Sequence, residues 1–159
     1  DVMNISDALS LDNQLCFALY GLSRKMTALY RPLLKPLGLT YPQYLVMLVM
    51  WEEQAGCPTG SYVGAPMKRL GERLLLDSGT LTPLLKRLEA NGLLIRQRSG
   101  RDEREVRVVL TRAGLMLKER AEHVPLQLLC QSPVPPDKLV TLQKELMSLL
   151  QSYAATDES

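Results

Sequence analysis

The chain has 159 residues, 46% of them hydrophobic and 23% charged, with 19 Lys+Arg against 17 Asp+Glu. That length can bury one core, and no window approaches the ~18 uninterrupted apolar residues of a membrane span, so a membrane-embedded protein is excluded; with no basic-then-apolar export signal at Asp1 to Ser10, the cytoplasm is the expected compartment. Three widely separated cysteines, Cys16, Cys57 and Cys130, argue against a disulfide-stapled secreted domain and a paired-cysteine zinc site, which leaves redox chemistry as the cysteine chemistry in prospect.

From Asn13 to Leu34, the positions Leu15, Leu19, Leu22, Met26, Leu29 and Leu33 recur at spacings of four and three, placing one apolar stripe along a long helix. Asp12 or Ser10 is placed to cap it; Pro32 and Pro36 bend and end it, and Gly38 turns the chain. Thr40-Tyr41-Pro42-Gln43 has the form of a capping box and opens a second helix to about Glu53. Its run from Tyr44 to Trp51 is apolar on nearly every side, so this helix must be buried. Ala55 to Pro66 reads as a loop, with Pro66 suited to the first position of the next helix.

Met67 to Leu76 predicts a short helix broken at Asp77-Ser78-Gly79, and a further helix stops at Asn91-Gly92. Its start is open between Thr82 as cap, with Pro83 in the first turn, and Ser78 as cap of a longer helix that tolerates Pro83. Two short helices across a tight break make a helix-turn-helix candidate. Leu93 to Arg98 and Val106 to Leu110 then predict a hairpin with a charged tip. Thr111 caps a fifth helix to about Gln131, kinked at Pro125. Pro133, Pro135 and Pro136 open a last helix in which Leu139, Leu142, Leu146, Leu149 and Tyr153 form a second apolar stripe.

From Pro66 to Arg112 the chain carries 11 basic and 6 acidic residues, net +5, whereas the remainder holds 8 and 11, net −3. A compact basic segment between acidic ends points to a polyanion, nucleic acid first, with a solvated charged face as the alternative. The two amphipathic end helices have little in one subunit to cover them, so pairing across a two-fold axis is expected.

Asp102-Glu103-Arg104, followed by Val106-Arg107-Val108-Val109-Leu110-Thr111 and Gly114, resembles the wing signature of the MarR-type winged-helix regulators. Leu76-Asp77-Ser78-Gly79-Thr80-Leu81-Thr82-Pro83 and the run on to Glu89 are similar to the recognition helix of one branch, the organic hydroperoxide resistance regulators (OhrR). The resemblance covers almost the whole chain. It implies a mainly α fold with a small β-hairpin wing, in one domain of residues 1–159: a winged helix-turn-helix at 40–111 flanked by dimerisation helices at 1–37 and 112–159. The implied function is a homodimeric repressor on a pseudo-palindromic double-stranded DNA operator, released when an organic hydroperoxide oxidises a reactive cysteine. No enzymatic turnover, cofactor, metal or membrane partner is expected.

Residue chemistry fits these tasks. Ser78, Thr80 and Thr82 bring hydroxyls near a helix start, where free N–H groups hold phosphates or meet base edges; Lys86 and Arg87 lie further along. By resemblance, Arg104 enters a narrow minor groove with Asp102 orienting it, while Arg98, Arg101 and Arg107 meet phosphates. An Asp102–Arg104 ion pair within the hairpin, and plain capping by Ser78, are the structural alternatives.

Cys16, between Leu15 and Phe17, reads on its own as a small hydrophobe. Two features oppose that reading: it lies about one turn inside a helix N-terminus, where the macrodipole favours thiolate, and the tyrosines supply phenol donors. The resemblance implies that Cys16 is the peroxidatic sensor, that Tyr30 and Tyr41 of the partner subunit hold its thiolate, and that the partner's Cys130 resolves it, as in the two-Cys type. A core aromatic at Tyr30 and a mere helix start at Tyr41 are the simpler alternatives. The Ala55 to Pro66 loop is longer than the family pattern, and Cys57 within it is expected as an exposed bystander. Rival readings are a thiol peroxidase, for which no Arg or Lys lies within a turn of Cys16, a MarR-type regulator controlled by a small aromatic or acidic ligand with Cys16 inert, and a dimeric adaptor without nucleic acid.

Overall fold

The computed structural model describes residues 5–102 and 104–156, so Glu103 of the expected wing signature lies outside the described residues. The chain forms two compact units, residues 1–124 and 125–159. In chain order the helices are α1 (Ile5–Ala8), α2 (Leu15–Leu34), α3 (Tyr41–Ala55), α4 (Met67–Leu74), α5 (Ser78–Ala90), α6 (Arg112–Ala121), α7 (Val124–Cys130) and α8 (Pro136–Ala154). The strands are β1 (Ala65–Pro66), β2 (Leu94–Arg98) and β3 (Val106–Leu110). The architecture is mainly α with a small antiparallel sheet of order β1-β3-β2.

The core of the first unit is built on α3. Its capping box forms as the sequence predicts: Thr40 Oγ1 accepts from the Gln43 N–H at 3.4 Å, and Gln43 Oε1 accepts from the Thr40 N–H at 3.0 Å. Val46, Met47 and Met50 are fully buried against Leu81, Leu85 and Leu88 of α5, Leu94 of β2 and Val108 of β3. Trp51 adds a directional tie, its indole N–H donating to the Gly114 carbonyl at 2.9 Å across 63 residues of sequence.

Several boundaries depart from expectation for local reasons. Neither Asp12 nor Ser10 caps α2: a 3-10 turn at Leu11–Asn13 intervenes and Gln14 becomes the N-cap, with no side-chain cap bond. Pro32 lies inside the last turns of α2, and a second 3-10 turn, Lys35–Leu37, is what closes on Gly38 at φ 68. The expected loop before α4 ends in β1, paired Ala65 with Val108 and Pro66 with Arg107, so Pro66 precedes α4 as its N-cap. A side chain at Gly64 (φ +84) would lie 2.4 Å from the Val108 carbonyl, so only glycine lets β1 reach β3.

The α4–α5 break is tighter than predicted. Leu75 adopts the left-handed conformation (φ 56, ψ 40), and Asp77, rather than Ser78 or Thr82, caps α5, accepting from the Thr80 N–H at 2.7 Å. The longer helix therefore forms, with Pro83 inside it. Thr111 caps α6 as expected, accepting from the Gly114 N–H at 3.1 Å. The predicted single fifth helix is two: α6 ends at Ala121, the residue whose carbonyl Pro125 could neither bond nor clear, and Pro125 falls in the first turn of α7. In α8, which starts after Pro135, no residue is buried.

Candidate functional site

Cys16 is the second residue of α2, inside its first turn, and is exposed in the single chain. Tyr30 lies on the same helix, 14 residues further on, which at 1.5 Å per residue is about 21 Å along the axis. Tyr30 and Tyr41, singled out separately in the sequence, do meet: their ring centroids are 4.8 Å apart. Tyr44 completes the cluster at 5.7 Å from Tyr30 and 6.4 Å from Tyr41, a member that sequence reasoning missed although Tyr41 and Tyr44 are three apart on α3. Burial, reinforced by Tyr41 and Tyr44, pushes the Tyr30 phenol up to about 12; burial also raises Tyr41, and burial with Tyr41 raises Tyr44. All three are therefore neutral phenols at physiological pH, with Tyr30 and Tyr41 half-buried and Tyr44 buried.

The tyrosines of a chain cannot serve that chain's own Cys16 across about 21 Å of helix. Beside Tyr41, between α2 and the start of α3, lies a groove of about 980 Å³ lined also by Leu34, Leu39, Arg24, Lys25, Arg31 and Lys35. The basic character of this groove was another feature missed, since its four cations are scattered over two elements. Cys130 is the last residue of α7 and is exposed; all three cysteines are free thiols. Cys57 is half-buried rather than exposed.

The second surface is the helix-turn-helix with its hairpin. On α5, Leu81, Leu85 and Leu88 face the core, which leaves Ser78, Thr80, Lys86 and Arg87 exposed and Thr82 half-buried. The hairpin tip exposes Arg98, Arg101, Asp102 and Arg104. Asp102 is a turn-former there: its Oδ1 accepts from the Arg104 N–H at 2.9 Å and its carbonyl from the Glu105 N–H at 3.0 Å. A groove of about 1010 Å³ joins the two parts, lined by Lys68, Ser78, Asp102 and Arg104 among others.

A family model described as Transcriptional regulator SarA/Rot matches residues 28–121. The organic hydroperoxide resistance transcriptional regulator of Bacillus subtilis (strain 168) is 46% identical over 149 residues, covering 94% of this chain and 95% of that protein. The chain belongs to the MarR-type winged-helix transcriptional regulators, in the organic hydroperoxide resistance branch. Reduced AbfR bound to DNA matches with a TM-score of 0.72 at 34% identity, over 94% of this chain and 98% of that one. Disulfide-formed AbfR, also 34% identical, matches at 0.59 over 91% and 96%; AbfR is from Staphylococcus epidermidis.

The regulator is thus a DNA-binding protein and not an enzyme. Its basic midsection offers DNA fewer cations than its net charge suggests. Arg69 and Arg73 of α4 are tied to Glu53 and Glu52 of α3 at 2.8 and 2.7 Å, and Arg96 to Glu89 at 2.9 Å. Arg107, expected on phosphate, instead holds the Gly64 carbonyl at 3.0 Å and Glu105 at 3.3 Å, which secures β1 to the hairpin. Among the described residues no helix is long and apolar enough to cross a membrane, and no cluster of His, Cys, Asp and Glu is arranged to hold a metal.

Proposed function

We propose that this regulator binds a pseudo-palindromic operator as a homodimer, senses organic hydroperoxides through Cys16 and then releases the DNA. The observation that carries the reading is the cluster of Tyr30, Tyr41 and Tyr44, three neutral phenols gathered about 21 Å along the helix from their own Cys16. Such donors suit the thiolate of a second copy, and the exposed first turn of α2 would carry that thiolate to them. Exposed apolar residues support the same pairing: Leu15 and Tyr20 on α2 and Tyr153 on α8 are 64%, 62% and 66% exposed.

The chemistry is a two-electron oxidation. The Cys16 thiolate attacks the terminal oxygen of the hydroperoxide; the O–O bond breaks, the alkoxide leaves and takes a proton to become the alcohol, and Cys16 becomes a sulfenic acid. The partner subunit's Cys130 thiolate then attacks that sulfur, expelling hydroxide, which leaves as water on protonation, and forming an intersubunit disulfide. A sulfur–sulfur bond of ~2 Å imposes a geometry on both helices, and DNA-reading units held about one duplex turn apart would lose that spacing. The lower TM-score to disulfide-formed than to reduced, DNA-bound AbfR, at equal identity, supports a shape change of this kind.

On the DNA side, Ser78, Thr80, Thr82, Lys86 and Arg87 would read one major groove, with Arg98, Arg101 and Arg104 at the flanking minor groove and backbone, and Asp102 shaping the turn that presents Arg104. The deciding experiment is a DNA-binding titration with and without cumene hydroperoxide. Cys16→Ser is expected to bind DNA as the wild type does and to stay bound in peroxide; release of that variant by peroxide would refute the sensor role. Non-reducing electrophoresis of oxidised wild type should give a covalent dimer that Cys130→Ser lacks. A second reading, control by a small acidic ligand with Cys16 inert, is favoured by the four cations of the groove beside Tyr41. It predicts that alkylating the cysteines leaves ligand-induced release unchanged.

A further inference from the structure

We infer that Arg96 is a positioning residue for DNA recognition: through Glu89 it locks the recognition helix α5 to wing strand β2, so that helix and wing meet the duplex as one rigid head. The inference rests on the reading of α5 and the hairpin as the DNA-facing pair. Glu89 stands in the last turn of α5, and its carboxylate takes three bonds from one residue. Oε1 accepts from the Arg96 backbone N–H at 2.9 Å; Oε2 accepts from Nε at 3.1 Å and Nη2 at 2.9 Å. Both side chains are about one-third exposed or less, 26% and 33%.

The placement explains why the tie is structural and not a phosphate contact. Strand β2 is an edge of the sheet, bonded only to β3, so a backbone N–H such as that of Arg96 needs an acceptor from elsewhere. Glu89 supplies it, and the fork of the same arginine closes over the other carboxylate oxygen, a geometry lysine cannot reproduce. The clamp sits two positions from Arg87 on α5 and two from Arg98 on β2, between two sets of side chains expected on DNA. An unclamped hairpin would still carry its cations, but at no fixed angle to the helix.

Electrostatics and positioning predict opposite signs for one substitution. Glu89→Gln removes a negative charge beside a polyanion-binding face, which by Coulomb attraction alone tightens DNA binding. Loss of the clamp instead weakens binding to the cognate sequence and leaves non-cognate binding, driven by charge, intact.

The test uses the full-length reduced protein, a duplex selected by the wild type from a random pool, and an unselected duplex of equal length, each titrated over a range of salt. Glu89→Gln and the charge-conserving Arg96→Lys are both expected to bind the selected duplex about tenfold more weakly. Binding to the unselected duplex, the salt slope and the thermal midpoint of Arg96→Lys should stay near wild type. Tighter or unchanged binding of Glu89→Gln to the selected duplex overturns the inference. So does wild-type affinity in Arg96→Lys together with a salt slope about one contact shallower in Arg96→Gln, which would make Arg96 a phosphate contact. Should the wild type enrich no duplex at all, the DNA-facing assignment of α5 and the wing fails, a result distinct from failure of the clamp.

Discussion

Asp77 is exposed, yet its carboxyl is held below its ordinary value of 3.8, first by the Thr80 backbone N–H, then by the Thr80 hydroxyl and the Gly79 N–H. A carboxyl with a lowered folded value stabilises the fold fully above the ordinary value, and that contribution is lost as pH falls through the folded one. Asp77→Ala is therefore expected to lower the thermal midpoint at pH 7, with the gap to wild type narrowing below pH 3.8; a gap constant with pH would show that the carboxylate is not the cap. The sequence left this start open between Ser78 and Thr82 and passed over Asp77, whose carboxylate is an equally suitable acceptor; the cap follows the left-handed turn at Leu75, which no local propensity of leucine announces. Gly114 is the counterpart in the core. A Cβ there would lie 2.0 Å from the Leu93 carbonyl, and its own carbonyl receives the Trp51 indole. Gly114→Ala is expected to cost about 3 kcal/mol in denaturant unfolding, since backbone must move to admit the methyl.

At the scale of elements, periodicity revealed what each helix buries but not what it meets. The capping box of α3, its all-round burial, the stop at Gly92 and the β2–β3 hairpin were all readable, because each depends on residues within a few positions of one another. Strand β1 was not: it has two residues, one a proline, and exists because Gly64 permits close approach and Arg107 bonds across 43 positions. The tyrosine cluster was half legible. Tyr30 and Tyr41 came from family likeness, whereas Tyr44 looked like one more apolar residue of a buried helix. The cluster has a titration signature. With Tyr30 at about 12 when folded and 10.0 as its ordinary value, the unfolded chain loses this proton first. Stability from burying the neutral phenol is complete below pH 10 and declines as pH rises through about 12. Tyr30→Phe should flatten the fall of the thermal midpoint across that window and remove the highest step of the phenolate absorbance titration; an unchanged titration would put Tyr30 in an ordinary environment.

On the scale of the whole molecule, charge patterning pointed to nucleic acid before any fold was known, but it overcounted the cations available, because ion pairs such as Arg73 with Glu52 join elements 21 residues apart in sequence. Apolar patterning has the opposite bias: it found the stripe of α8 without showing that Leu149 and Tyr153 stay exposed while Leu139, Leu142 and Leu146 are half-buried. No residue of α8 is buried, and Met147, Leu149 and Leu150 are between 39% and 46% exposed. If a second copy covers them, as proposed, a two-fold interface presents each substituted residue twice. Losing one leucine from each side forfeits about 1.5–3 kcal/mol per copy, before the cost of burying a carboxylate. Leu149→Glu is therefore expected to raise the dimer dissociation constant by a hundredfold or more. Sedimentation at micromolar concentration should show monomer, with helicity preserved because Leu149 lies outside the buried core. Binding to a palindromic duplex should fall with it, since one reading head engages one half-site. A Leu149→Glu protein that stays dimeric would exclude the exposed face of α8 from the interface and leave the stripe of α2 to carry the pairing.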